Sequence, residues 1–145
     1  MNWRALFRIA LAIAIAFLVN YCVVSASEAL LSRAFPPALG TNLADTAQLA
    51  AFVKSLPVMA FLGLVAGWTI GAIGAVTAAY LISDRVLWLA WIGGAFSLFG
   101  VVSTLCMLAH PLWVAIAGIA MPFLVSWAIP RAIGLPQAPK SPRPD

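Results

Sequence analysis

The sequence predicts an all-α polytopic membrane protein in which four transmembrane helices form an antiparallel bundle. Apolar residues make up 64% of the 145-residue chain and charged residues only 8%, whereas soluble domains carry roughly 25% charged residues. Four uncharged stretches are each long enough to cross a bilayer, which takes about 20 apolar residues. The composition therefore excludes an ordinary soluble domain.

One transmembrane domain is predicted over residues 1–133. Short turns at residues 83–85 and 110–111 make the last three spans consecutive antiparallel neighbours. A Pro-rich cytoplasmic tail is predicted over residues 134–145, where an extended, solvated chain is expected. The spans are predicted at residues 9–27, 57–83, 86–109 and 111–130, with an outer loop at 28–56.

The distribution of Lys and Arg predicts the orientation, because these residues are retained on the cytoplasmic side of a membrane. With both termini inside, six of the eight cations are cytoplasmic, and only Arg33 and Lys54 lie outside. We therefore expect a multi-pass protein of the bacterial cytoplasmic (inner) membrane with both termini in the cytoplasm. The six cytoplasmic cations are Arg4, Arg8, Arg85, Arg131, Lys140 and Arg143.

The first span has a second interpretation as a signal peptide. Arg4 and Arg8 precede an apolar run, and the small residues at 24–27 resemble a cleavage region. The apolar run is long for a signal peptide, so we expect an uncleaved membrane anchor.

The outer loop is predicted to contain a short amphipathic helix. Pro36 and Pro37 interrupt any preceding helix, and Thr41 or Asn42 is expected to cap the next one. Its apolar residues recur at helical spacing, which suits a helix resting on the outer leaflet or on the rim of the bundle. The alternative is a docking surface or lid for a partner. The apolar stripe consists of Leu49, Phe52, Val53 and Leu56.

Small residues recur four apart along the second span, a spacing at which membrane helices approach closely. We expect these glycines to pack helices together, within one chain or between copies. They do not form a dinucleotide motif, which requires a preceding strand. The packing glycines are Gly63, Gly67, Gly71 and Gly74 in the second span, Gly93 and Gly94 in the third, and Gly118 in the fourth.

The charged residues give little support to catalysis or ion coupling. All four carboxylates lie outside the predicted spans, whereas proton- and cation-coupled transporters commonly keep an ionisable group within the membrane. The single His has no acid near it and no nucleophile-elbow motif occurs. The cations form no cluster typical of nucleic-acid binding. We expect no catalytic residue, no metal, no cofactor and no nucleic-acid partner.

One polar group of residues remains, namely Asn20, Cys22, Cys106 and His110. Both cysteines are expected at a similar depth near the outer surface, where a Cys22–Cys106 disulfide is one interpretation. Cys106 and His110 are spaced i, i+4 and are predicted on one face of the third span, but they are too few for a metal or haem site. The alternative is two buried thiols and a histidine that caps a helix. Asn20 is expected to face another helix or a wet cavity.

The basic start MNWRALFR, the AGWTIGAIGA segment and the HPLW turn resemble small four-helix inner-membrane proteins of bacteria, a mostly uncharacterised group. The resemblance covers most of the chain and implies no activity. The defining residues of fluoride channels, quinone-linked disulfide oxidoreductases and multidrug exporters are not matched.

The leading functional hypothesis is a non-enzymatic structural or accessory subunit, in contact with the lipid bilayer and with other membrane subunits or further copies of itself. The alternative is a small oligomeric transporter or lipid-head-group flippase in which the glycine strip of the second span lines a path. A third hypothesis is a thiol redox membrane protein that uses Cys22 and Cys106.

Overall fold

The computed structural model of the protein describes residues 3–108 and 110–134. The described chain is all-helical, which confirms the predicted class, and four of its five helices are long and apolar enough to cross a membrane. Of the tail predicted over residues 134–145, Gly134 is the last residue of a helix, and the rest lies outside the described residues. The helices are α1 (Trp3–Ala34), α2 (Thr46–Ser55), α3 (Val58–Ile82), α4 (Leu87–Met107) and α5 (Leu112–Gly134).

Helix α1 continues well beyond the predicted end of the first span at Ser27. It stops at Ala34, just before the Pro36–Pro37 pair, because a residue that precedes proline disfavours the helical conformation. Glu28, which was assigned to the outer loop, therefore lies on the last turns of α1. Helix α5 likewise continues past the predicted end at Pro130.

Helix α2 begins later than the sequence indicated, and the predicted cap at Thr41 or Asn42 is wrong. Asp45 is the N-cap, and its carboxylate accepts hydrogen bonds from the backbone N–H groups of Ala47 and Gln48 at 2.8 and 3.4 Å. Asn42 instead accepts a hydrogen bond from the Ala44 N–H within a preceding turn. Asn side chains stabilise turns and helix caps equally well, so sequence alone did not separate the two roles.

Helix α3 is the centre of the structure, since α1, α4 and α5 all pack against it. Its glycines face α1 in an ordered series, with Gly63 at Leu31, Gly67 at Ser27 and Gly74 at Val19. Helices α1 and α3 therefore run in opposite directions along this contact. Helix α1 packs mainly against α3, touches α4 lightly and makes no contact with α5 in the described chain.

Helices α4 and α5 use small residues in the same way. Gly93 of α4 lies on the backbone of Ala75 in α3. Gly94 faces Ser126 and the Pro122 carbonyl of α5, whereas Gly118 of α5 lies against the Trp68 ring. A side chain at any of these contacts would push two helices apart, because packed interiors have little free volume.

The turn between α3 and α4 closes the C-terminal end of α3 with a Schellman motif. The Arg85 N–H donates to the Tyr80 carbonyl at 2.8 Å, and the Asp84 N–H donates to the Leu81 carbonyl at 3.3 Å. Asp84 and Arg85 have φ angles of 58° and 68°. Both residues thus occupy the left-handed region, which Gly, Asn and Asp tolerate and which is unusual for Arg.

The charged residues divide between the two ends of the structure. At one end, called the Arg85 end, Arg8 of α1 forms an ion pair with Asp84 of the α3–α4 turn, and Gly134 of α5 adjoins the Tyr80 hydroxyl. The opposite end, called the α2 end, carries the α2 helix. In the described chain, Arg4, Arg8, Arg85, Arg131 and Asp84 belong to the Arg85 end, and Glu28, Arg33, Asp45 and Lys54 to the α2 end.

Candidate functional site

Helix α2 covers a cavity at the α2 end of the structure. Val53 of α2 is buried in one apolar cluster with Phe61 and Trp68 of α3. Beside this cluster, a cavity of about 220 Å³ lies between α2, the last turns of α1, the start of α3 and the end of α4. We call it the α2 cavity. Its lining is largely apolar, and its polar side chains are Glu28, Ser32, Thr104 and His110.

A second space of about 230 Å³ lies between α1 and α4 and is called the α1–α4 groove. It forms because α1 packs chiefly on α3 and leaves a gap towards α4. Aromatic residues of both helices line it, among them Phe17, Tyr21 and Phe96, with the largely buried Trp68 of α3 on its inner side. Its polar side chains are Asn20, Ser25, Glu28, Ser97 and Thr104.

The α2 cavity and the α1–α4 groove share Glu28 and Thr104. The Thr104 hydroxyl donates to the Gly100 carbonyl at 3.0 Å within its own helix. The Glu28 carboxylate makes no hydrogen bond or ion pair with any described residue. An exposed carboxylate without a partner among the described residues therefore lies where the two apolar spaces meet.

Asn20 lies deeper in the α1–α4 groove, at the point where α1 meets Gly71 of α3. Its Oδ1 atom is buried and has no hydrogen-bond partner among the described residues, and a Cβ atom placed at Gly71 would be 3.0 Å from it. A buried polar atom without a partner is costly. Asn20 is eight residues before Glu28, a distance of about 12 Å along an α-helix.

His110 does not lie on one helical face with Cys106, and that prediction is wrong. Helix α4 ends at Met107, and its C-cap residue Leu108 is extended, so no helical turn joins Cys106 to His110. The His110 Nδ1–H donates to the Leu108 carbonyl at 2.8 Å, and the ring lies 6.1 Å from the Phe61 ring between centroids. His110 is thereby turned towards the α2 cavity.

The two cysteines lie apart from both cavities. Cys22 and Cys106 are free thiols on the surface, and neither lines the α2 cavity or the α1–α4 groove. No group of three or more His, Cys, Asp or Glu side chains that could hold a metal occurs within the described ranges. Of the four polar residues singled out from the sequence, the structure places Asn20 and His110 at the cavities.

Glu28 is the residue of the site that sequence reasoning missed. It was placed in a loop because the predicted span ended at Ser27. A usable signal was present, since nothing between Ser27 and Pro36 breaks a helix. Continuing α1 places Asn20, Val24 and Glu28 at i, i+4 and i+8, on one side of the helix.

No match emerges when the chain is compared with protein-family models, with curated proteins or with solved structures. The fold and the cavities define a small all-helical protein with four membrane-length apolar helices and a groove between two of them. That groove is amphiphilic, because aromatic walls surround a few hydrogen-bonding groups and one carboxylate.

Proposed function

We propose that the chain is a structural or accessory subunit of a membrane complex in the bacterial cytoplasmic membrane. Its four long helices cross the bilayer as an antiparallel bundle, with both termini in the cytoplasm. The charge distribution supports this orientation, since the described Arg85 end carries four cations and one carboxylate, and the α2 end two of each. Cations are retained on the cytoplasmic side, which favours a cytoplasmic location for the Arg85 end.

The covered glycine face of α3 is the observation that carries the structural role. Leu31, Ser27 and Val19 of α1 fill the space beside Gly63, Gly67 and Gly74, and added Cβ atoms at Gly63 and Gly74 would lie 2.6 and 2.7 Å from those side chains. The face that could have lined a path for a solute is thus occupied by a neighbouring helix. Such close contacts hold membrane helices together, which suits a scaffold.

Native mass spectrometry after gentle extraction from the membrane tests the accessory role. We expect the chain to leave the membrane bound to a different membrane protein at a fixed stoichiometry that survives repeated purification. A chain recovered only as a monomer or homodimer would contradict the proposal. An unrelated tagged four-span protein, extracted in parallel, controls for partners acquired in detergent.

The α1–α4 groove favours a second candidate function, a lipid-head-group flippase. A groove open along the side of two membrane helices, with Asn20 and Glu28 on its wall, offers polar groups to a headgroup within an apolar surface. Reconstitution into vesicles that contain a fluorescent phospholipid separates the two functions. Acceleration of lipid exchange between leaflets supports the flippase, whereas rates equal to those of empty vesicles support the accessory subunit.

A further inference from the structure

We propose that the α1–α4 groove is a binding site for one outer-leaflet phospholipid with a primary ammonium headgroup, as in phosphatidylethanolamine. The ammonium group binds Glu28, and an acyl chain lies along the aromatic wall. This inference rests on the proposed membrane insertion and orientation. It holds whether the protein is an accessory subunit or a flippase, since a bound lipid serves either one.

The shape and lining of the groove select an amphiphile. Phe17 and Phe96 pack edge to face across it, with ring centroids 5.6 Å apart, and Trp68 lies on its inner side. Such a surface binds apolar chains by dispersion and by exclusion from polar surroundings. The polar groups are confined to fixed points on the wall, as in ligand sites that orient a largely apolar molecule.

The charge of the groove selects a headgroup that ends in an ammonium group. Glu28 accepts hydrogen bonds and donates none when ionised, and no Lys or Arg is among the described residues that line the groove or the α2 cavity. Glu28 is exposed at the edge of the groove, so its carboxylate is accessible to a headgroup that carries the opposite charge. An ammonium group of the ligand complements this carboxylate, since no cation of the described chain lines either space.

A primary ammonium group suits Glu28 better than a quaternary one. It carries N–H donors, which form short charge-assisted hydrogen bonds to a carboxylate, whereas a trimethylammonium group has no donor to offer. Asn20 lies about 12 Å deeper along α1, where its amide can donate to an ester carbonyl of the same lipid. Glu28 and Asn20 thus match the ammonium group and the ester region of one phospholipid.

Quenching of Trp68 fluorescence by lipids with brominated acyl chains tests the proposal. Trp68 is only 3% exposed, so bulk lipid quenches it weakly, whereas an acyl chain in the groove lies beside it. The other five tryptophans are 39% to 69% exposed and can be replaced by Phe at little cost. This Trp68-only protein is reconstituted in phosphatidylglycerol vesicles, and brominated phosphatidylethanolamine is titrated in.

We expect saturable quenching at a low fraction of brominated phosphatidylethanolamine. In Glu28→Gln the half-saturating fraction should rise about 10-fold, as for loss of one charge-assisted hydrogen bond. Brominated phosphatidylcholine should likewise require a higher half-saturating fraction than brominated phosphatidylethanolamine does. Asp45→Asn is the matched control, since it removes a carboxylate at the same end, outside the groove, and Asn caps a helix as well as Asp.

Equal quenching by brominated phosphatidylethanolamine, phosphatidylcholine and phosphatidylglycerol would overturn the proposal. An unchanged titration in Glu28→Gln would overturn it as well. A preference for brominated phosphatidylglycerol would overturn it too, because the recognised charge would then be negative. A second protein that retains only the exposed Trp88 at the Arg85 end reports insertion separately. Its quenching by every brominated lipid shows insertion even if the Trp68 titration fails.

Discussion

Gly93 of α4 lies directly against Ala75 of α3, so closely that a Cβ atom at residue 93 would be 2.8 Å from the Ala75 carbonyl oxygen. Because backbone cannot rotate away as a side chain can, Gly93→Ala must separate the two helices. We expect a loss of about 1–3 kcal/mol in the free energy of unfolding, the usual cost of overpacking. Denaturant titration in detergent micelles, followed by circular dichroism, measures it.

Gly100 provides the control on the same helix. Nothing lies within 4 Å of a Cβ atom at that position, so Gly100→Ala should gain up to about 1 kcal/mol from helix propensity alone. If the two variants change stability alike, the close contact at Gly93 does not hold α3 and α4 together.

The Asn20 side chain is predicted to destabilise the folded protein. Its buried Oδ1 atom lacks a partner in the described chain, so Asn20→Leu, which keeps a similar side-chain size, should raise the free energy of unfolding by about 1 kcal/mol. Ser97→Ala is the comparison, because the buried Ser97 hydroxyl has a partner, the Trp68 carbonyl at 3.4 Å. The free energy of unfolding of Ser97→Ala should fall by about 0.6 kcal/mol. A destabilised Asn20→Leu protein would show that the amide is satisfied in the membrane.

The left-handed conformation of Arg85 predicts a stabilising substitution. Its φ angle of 68° costs a residue with a Cβ atom roughly 1–2 kcal/mol and costs Gly little. Arg85→Gly should therefore be about 1 kcal/mol more stable than Arg85→Ala in the same denaturant titration. Both variants lose the guanidinium group, so the difference between their free energies of unfolding reports the backbone conformation at residue 85. Equal stabilities would contradict the left-handed conformation of Arg85.

Labelling of single cysteines tests the proposed orientation. In a protein with Cys22→Ser and Cys106→Ser, Ala44→Cys places a thiol at the exposed α2 end and Ala132→Cys places one at the exposed Arg85 end. A membrane-impermeant maleimide should label residue 44 in intact spheroplasts and residue 132 only after lysis. The reverse pattern would invert the orientation, and labelling of both before lysis would contradict membrane insertion.

The helices could be predicted because each one depends on residues that are close together in the sequence. An apolar run such as that of α3 needs only its own length and composition to be recognised, and Pro36 and Pro37 mark where α1 has to stop. The small residues of α3 also indicated one close-packed face. Which side chains would cover that face was not predictable, because Ser27 and Val19 meet α3 through contacts distant in sequence.

The site could be predicted only in part. Asn20 was singled out by its chemistry alone, since an amide cannot satisfy itself within a helix as a hydroxyl can. The α2 cavity depends on α2 folding back over Phe61, and the role of Glu28 depends on the gap between α1 and α4. Both are products of tertiary packing, and no local pattern encodes them.

The dependence of α1 on α3 has a consequence for how the protein is made. Helix α1 leaves the ribosome before α3, yet the surface that receives it is complete only once α3 has been synthesised up to Ala75 and Ala79, which join Ala16 in one buried cluster. With the proposed membrane insertion, α1 is during that interval a solitary helix in lipid with its Asn20 amide unshielded. Its long apolar run allows it to remain inserted alone, so docking onto α3 is a late step in biogenesis that depends on the linker between them.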